Sequence, residues 1–211
     1  MGRFLTRCSL TILAGTALLI TGCSQSIKSA DQPSAAKAPA TVVELVTAKT
    51  AFGPMYKSAF GWSSDVKLLH MTPKEVPGFK NEAGKSAVWE ATFASPSKHQ
   101  LRVYTYAIET VPAPAHKGLS VGIPMAWAGQ TRDSMPIEIT AFSVDSDAAY
   151  HASTTDAAAW LAKNPGKPLS SLELGSTYAH QSPVWYVAWG DKKAGYVALV
   201  DATSGQVYKR K

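Results

Sequence analysis

Two stretches of this chain alternate apolar and polar positions with period two. In "SAVWEATFASPSKHQLRVYTY", residues 86–106, the pattern places Trp89, Ala91 and Phe93 on one strand face and Val88, Glu90 and Thr92 on the other. In "SPVWYVAWGDKKAGYVALVDATSGQVY", residues 182–208, Trp185, Val187 and Trp189 oppose Val184, Tyr186 and Ala188. Each block has a polar turn and then a second apolar strand, the pattern of a hairpin. Upstream of each lies a segment of helical character that reaches a tryptophan, "TAKTAFGPMYKSAFGW" to Trp62 and "SDAAYHASTTDAAAWLAKN" past Trp160. Ser146 or Asp147 is the expected N-cap of the second helix, and Asn164-Pro165-Gly166 ends it. In the first, Gly53-Pro54 predicts a late start or a kink, with Tyr56, Ala59 and Phe60 on a shared face. "IEITAFSV", residues 137–144, reads as a further strand by its alternation.

The two blocks align on each other. Trp89 and Trp185 lie 96 positions apart, and the same shift sets Ser86 on Ser182, Val88 on Val184, Phe93 on Trp189 and Leu101 on Val197. The interval from the helical tryptophan to the strand tryptophan is 27 residues in one half and 25 in the other. Shared order of helix, spacer and strand pair points to an internal duplication. A helix over the aromatic face would bury the strand tryptophans, so core packing is the first expectation for Trp89 and Trp185. Trp189, beside the Gly190-Asp191 turn, is the strand tryptophan placed nearest a partner surface, together with Asp191 and, in the Pro- and Gly-rich connector, Trp127.

The N-terminus changes the picture of where this domain works. Arg3 and Arg7 precede a largely apolar run, Leu10 to Ile20, too short to span a bilayer as a mature helix. Ile20-Thr21-Gly22-Cys23 then resembles the lipobox of bacterial lipoproteins, which implies cleavage of residues 1–22 and acylation, palmitate included, at Cys23. Several acyl chains make a stable membrane anchor where one would be marginal. Ser24 at the next position implies sorting to the periplasmic face of the outer membrane in a Gram-negative cell. Residues 23–45, rich in Ser, Ala, Pro and Lys, read as a flexible tether.

Composition narrows the chemistry. Cys8 leaves with the signal and Cys23 is acylated, so the mature chain has no thiol for a disulfide, a zinc site or a nucleophile. Losing Arg3 and Arg7 lowers the formal charge from +6 to +4, and Lys192-Lys193 and 209–211 are short basic runs, so nucleic acid is not an expected partner. His70, His99, His116, His151 and His180 show no metal-binding spacing, and neither a cofactor nor a metal is expected. There is no nucleophile elbow or phosphate loop, and Ser95-Pro96-Ser97-Lys98 suits a hairpin turn. Asp145 and Asp147 are explained by helix capping, and Asp191 and Asp201 by turns. An enzyme would need two or more of His70, His151, His180, Asp191 and Glu173 to converge in a cleft.

At the C-terminus, the apolar strand followed by Asp201-Ala202 with Gly205 and then Val207, preceded by the Trp185 strand, resembles the ending of PepSY-type domains. The first half lacks that turn and is joined to the family by the internal alignment. The resemblance implies a binding module of the kind proposed to modulate peptidases. The expected fold class is α+β, two tandem helix-plus-antiparallel-sheet, PepSY-like repeats packed together. They occupy 46–110 and 145–211, with a connector over 111–144 that carries a strand. The expected protein is an exported, membrane-anchored envelope lipoprotein that binds a protein or peptide without catalysis. The alternatives are a carrier of a small apolar ligand or lipid, in a cavity lined by Trp127, Trp185 and Trp189, and an envelope hydrolase.

Overall fold

The structure is a computed structural model that describes residues 43–111, 115–191 and 193–208. The signal segment, Cys23, Ser24, the tether up to residue 42, Lys192 and the basic tail at 209–211 lie outside the described residues.

Helix α1, Ala48–Trp62, forms because Ala48, Ala51, Met55 and Ala59 make a narrow buried stripe of small or unbranched side chains. Thr47 caps it, its side chain accepting from the Thr50 amide. Pro54 sits inside the helix, not in a late first turn: the missing N–H leaves the Thr50 carbonyl without its usual partner, and the chain continues to Trp62. Of the face expected to share burial, Ala59 is buried and Tyr56 half-buried, but Phe60 is exposed at the rim. Three antiparallel strands follow: β1, Lys67–Pro73; β2, Val88–Ser95; and β3, Gln100–Ala107.

The connector adds β4, Gly118–Val121, and β5, Met125–Ala126, both paired to β3. The strand expected at 137–144 does not form. Ile137 makes a single bridge to Leu68, after which a 3-10 turn at Ile139–Ala141 folds the chain away. That turn buries Phe142 against Phe52 and Trp185, at 5.4 and 5.9 Å between ring centroids. Helices α2, Ser146–Asp156, and α3, Ala158–Lys163, then lead into β6, Leu169–Thr177; β7, His180–Trp189; and β8, Tyr196–Asp201. The α2 cap is Asp145, one residue before the expected Ser146, and Asn164 ends α3.

Each half therefore runs helix, strand, strand, strand, and the strands of both enter one antiparallel sheet ordered β4-β3-β2-β1-β6-β7-β8. β1 and β6 meet at the centre, His70 opposite Gly175 and Met71 opposite Leu174. Helix α1 packs on β1, β2 and β3 while α2 packs on β7 and β8, so both helices cover the same face. Trp89, Ala91 and Phe93, with Trp185, Val187 and Trp189, form the core beneath them. A smaller cluster around Val88, Ala107 and Val111 packs at the β2–β3 end, with Leu45 against it. Among the described residues no helix lies over the rest of the opposite sheet face.

Candidate functional site

The strand tryptophans are sealed. Trp89 and Trp185 are fully buried, and each donates its indole N–H to the carbonyl before a helix cap, Val46 O and Val144 O, at 2.9 Å in both cases. The bond satisfies the polar edge of a ring that could not otherwise enter the core. Trp189, expected nearest the partner surface, is a core residue at 3 % exposure, packed among Tyr150 and Tyr196. Period two decides this, since Trp189 shares the face of Trp185 and Val187 whatever the turn beyond it does.

Asp191 stays at the surface. Its carboxylate accepts from the amides of Lys193 and Ala194, which hold it below the usual carboxylate range, and Lys167 Nζ stands 3.9 Å away. This is an Asx-type turn whose carboxylate is already occupied. Trp127 is half-buried just after β5, its amide bonded to His99 O, and lies on the β3 side of the sheet, whereas Trp185 and Trp189 lie on β7. The three tryptophans do not line a common cavity.

Around Trp127 the sheet ends in an apolar margin. β4 lies outside β3, and Leu119, Val121, Ile123 and Met125 are all exposed along this segment, Ile123 at 82 %. An edge strand with unpaired backbone groups and apolar side chains is a template for another extended segment. At the other end of the sheet, residues 206–208 fold back on β8, with Asp201 N bonded to Gln206 O and Tyr208 N to Leu199 O. Sequence pattern marks 111–144 as a connector that carries a strand, but does not place that strand at the sheet edge. The signal that could have located the edge is the apolar run Val121, Ile123, Met125 in a segment with no amphipathic partner.

Of the side chains an enzyme would need, His70, Glu173 and His180 line one hollow on the helix-free face. His151 lies on α2 against Tyr150, and Asp191 is in its turn. Glu173 Oε1 is 3.6 Å from His70 Nε2, past hydrogen-bond length. Among the described residues no hydroxyl hydrogen-bonds either imidazole, and no three His, Asp or Glu side chains converge to hold a metal ion. The pieces of a nucleophile-and-base pair are not assembled there.

No protein-family model and no curated protein matches the chain. Among solved structures the chain is similar to the crystal structure of a candidate lipoprotein from Clostridium difficile 630, at 10 % identity and a TM-score of 0.49, over 75 % of this chain and 90 % of that one.

Proposed function

We propose that this protein is an exported, lipid-anchored component of the cell envelope that binds a protein or peptide partner without catalysis. The N-terminal apolar run ending in Ile20-Thr21-Gly22-Cys23 supports the anchor, and the PepSY-like ending at Asp201 to Val207 supports a pair of PepSY-type repeats. The reading rests on one observation above all. Trp185 and Trp189, two of the three tryptophans that could have held a small apolar ligand, are packed into the core, while the β4–β5 margin leaves large apolar side chains on an open sheet edge. Such an edge recognises an extended segment through main-chain hydrogen bonds, with alternate side chains giving selectivity. The partner class implied by the PepSY resemblance is a peptidase.

The test is photocrosslinking from position 123 in the native envelope, with and without Val121→Lys. A discrete protein partner is expected, lost in the Lys variant while thermal stability stays unchanged, because an exposed substitution shifts folding by no more than about 0.5 kcal/mol. Crosslinks to lipid alone, or a partner indifferent to Val121→Lys, would remove the edge from the proposal.

A further inference from the structure

We infer that the helix-free face carries a separate ligand site, a hollow of about 470 Å3 over Gly175 that takes a small aliphatic amine in its ammonium form. The volume falls within the range of small-molecule pockets. It does not depend on the β4–β5 edge, since its walls come from β1, β6, β7 and β8, with Asp133 and Ser134 of the later connector at the rim.

Gly175 makes the hollow. It stands mid-sheet between His70 of β1 and Val184 of β7, where every neighbour carries a side chain. Apart from its two chain neighbours, no residue comes within 4 Å of the position its Cβ would take, so the glycine is not there to relieve a clash. A strand-interior glycine with open space above it weakens the strand and leaves backbone open to whatever approaches. Glu173 and Tyr186 face each other across β6 and β7, Leu199 stands next to Tyr186 on β8, and Asp133 reaches the rim from the connector.

Charge selects the ligand class. The lining holds two carboxylates, Glu173 and Asp133, two imidazoles, His70 and His180, and no lysine or arginine, on a chain of formal charge +6. The hollow therefore disfavours carboxylates and phosphates and concentrates cations. Among the described residues neither Glu173 nor Asp133 accepts a hydrogen bond, and His70 Nε2, the cationic-capable group nearest Glu173, stands at 3.6 Å from Oε1, so both carboxylates keep lone pairs for an N–H donor. An ammonium group supplies three such donors. The Tyr186 ring, 40 % exposed, offers a face to the cation, and Leu199 and Val184 offer apolar surface to a short alkyl chain.

Ligand-detected NMR on the full-length protein in detergent micelles, comparing pentylamine, pentanol and pentanoate, tests this. Pentylamine is expected to bind and the other two are not. Glu173→Gln should weaken pentylamine by about tenfold, the loss of one charge-assisted hydrogen bond. Gly175→Val should abolish binding by filling the hollow, with a melting temperature close to that of the parent. Asp191→Asn, a carboxylate change remote from the hollow, should leave binding intact. The inference falls if pentylamine fails to bind, if pentanoate or pentanol binds as well, if Gly175→Val folds and still binds, or if Asp191→Asn weakens binding as much as Glu173→Gln.

Discussion

Asp65 shows how one half-buried carboxylate can join three parts of the chain. It follows the end of α1, and its Oδ1 accepts from Ser63 Oγ at 2.6 Å and from Ser95 Oγ at 2.7 Å, while Oδ2 accepts from the Ser97 amide at 2.7 Å. These bonds, the one from Ser63 foremost, hold its carboxyl well below the usual carboxylate range. A depressed folded pKa means stability that is present above the unfolded value, about 3.9, and is lost as the pH falls toward the folded value. Asp65→Asn should therefore lower the urea midpoint at pH 6, and its deficit against the parent should shrink steadily below about pH 4. Other depressed carboxylates, Asp191 and Asp201, titrate in both proteins and cancel in the comparison. A deficit that does not change between pH 6 and pH 2.5 would show that the carboxylate's charge is irrelevant. None of this was legible beforehand: "SPSK" suited a hairpin turn, but that Asp65, some thirty residues earlier, would cap it depends on where α1 ends.

At the scale of elements, what the sequence made legible follows from how each element is stabilised. β2 and β7 were legible because Trp89, Ala91 and Phe93, and Trp185, Val187 and Trp189, recur with period two on the face that packs under the helices. β1 and β6, the pair at the centre of the sheet, were not assigned. β1 shifts register between Leu68 and His70, which breaks the period, and β6 spends Ser170, Ser171, Gly175 and Ser176 on positions that read as loop. The open-face hollow was hidden for the same reason, since it lies on those two strands. Trp189 was legible as an aromatic face residue, and only its neighbouring turn suggested a surface role. A different contact explains why the loop before β2 is so constrained. Gly84 has φ +80°, and a Cβ there would meet Ser146 O at 2.4 Å and Asp147 Cα at 2.7 Å, the backbone of the first turn of α2. Because backbone cannot rotate aside, Gly84→Ala should destabilise the fold by about 3 kcal/mol or more, strain and clash together. Gly175→Ala, in open space, should be tolerated, and equal effects of the two alanines in urea denaturation would contradict the contact.

For the whole molecule, the question is whether two similar halves fold as one. The sheet joins them through only two directly opposed residue pairs of β1 and β6, a narrow seam for so many strands. The helix starts supply the stronger link. Asp145 Oδ1 accepts from the Ser146 amide at 2.7 Å, capping α2, and also from the Lys49 amide at 2.9 Å in the first turn of α1. Ser146 Oγ accepts from the Ala48 amide at 2.9 Å, and Lys49 Nζ returns a bond of 2.6 Å to Ser143 O. Two positive helix ends thus share one carboxylate, and orphan N–H groups of one half are satisfied by side chains of the other. Phe52 on α1, against Phe142 and through it Trp185, extends the same junction into the core. Losing an ordinary cap costs about 1 kcal/mol, but Asp145→Ala strips the acceptor from two amides in separate halves, so about 2–3 kcal/mol is expected. Tryptophan fluorescence and far-UV circular dichroism should trace a single coincident urea transition in both proteins, displaced to lower urea in the variant. Two resolved transitions in the parent would mean that the halves unfold independently, and a displacement no larger than that of an exposed surface substitution would mean that the shared carboxylate does not couple them.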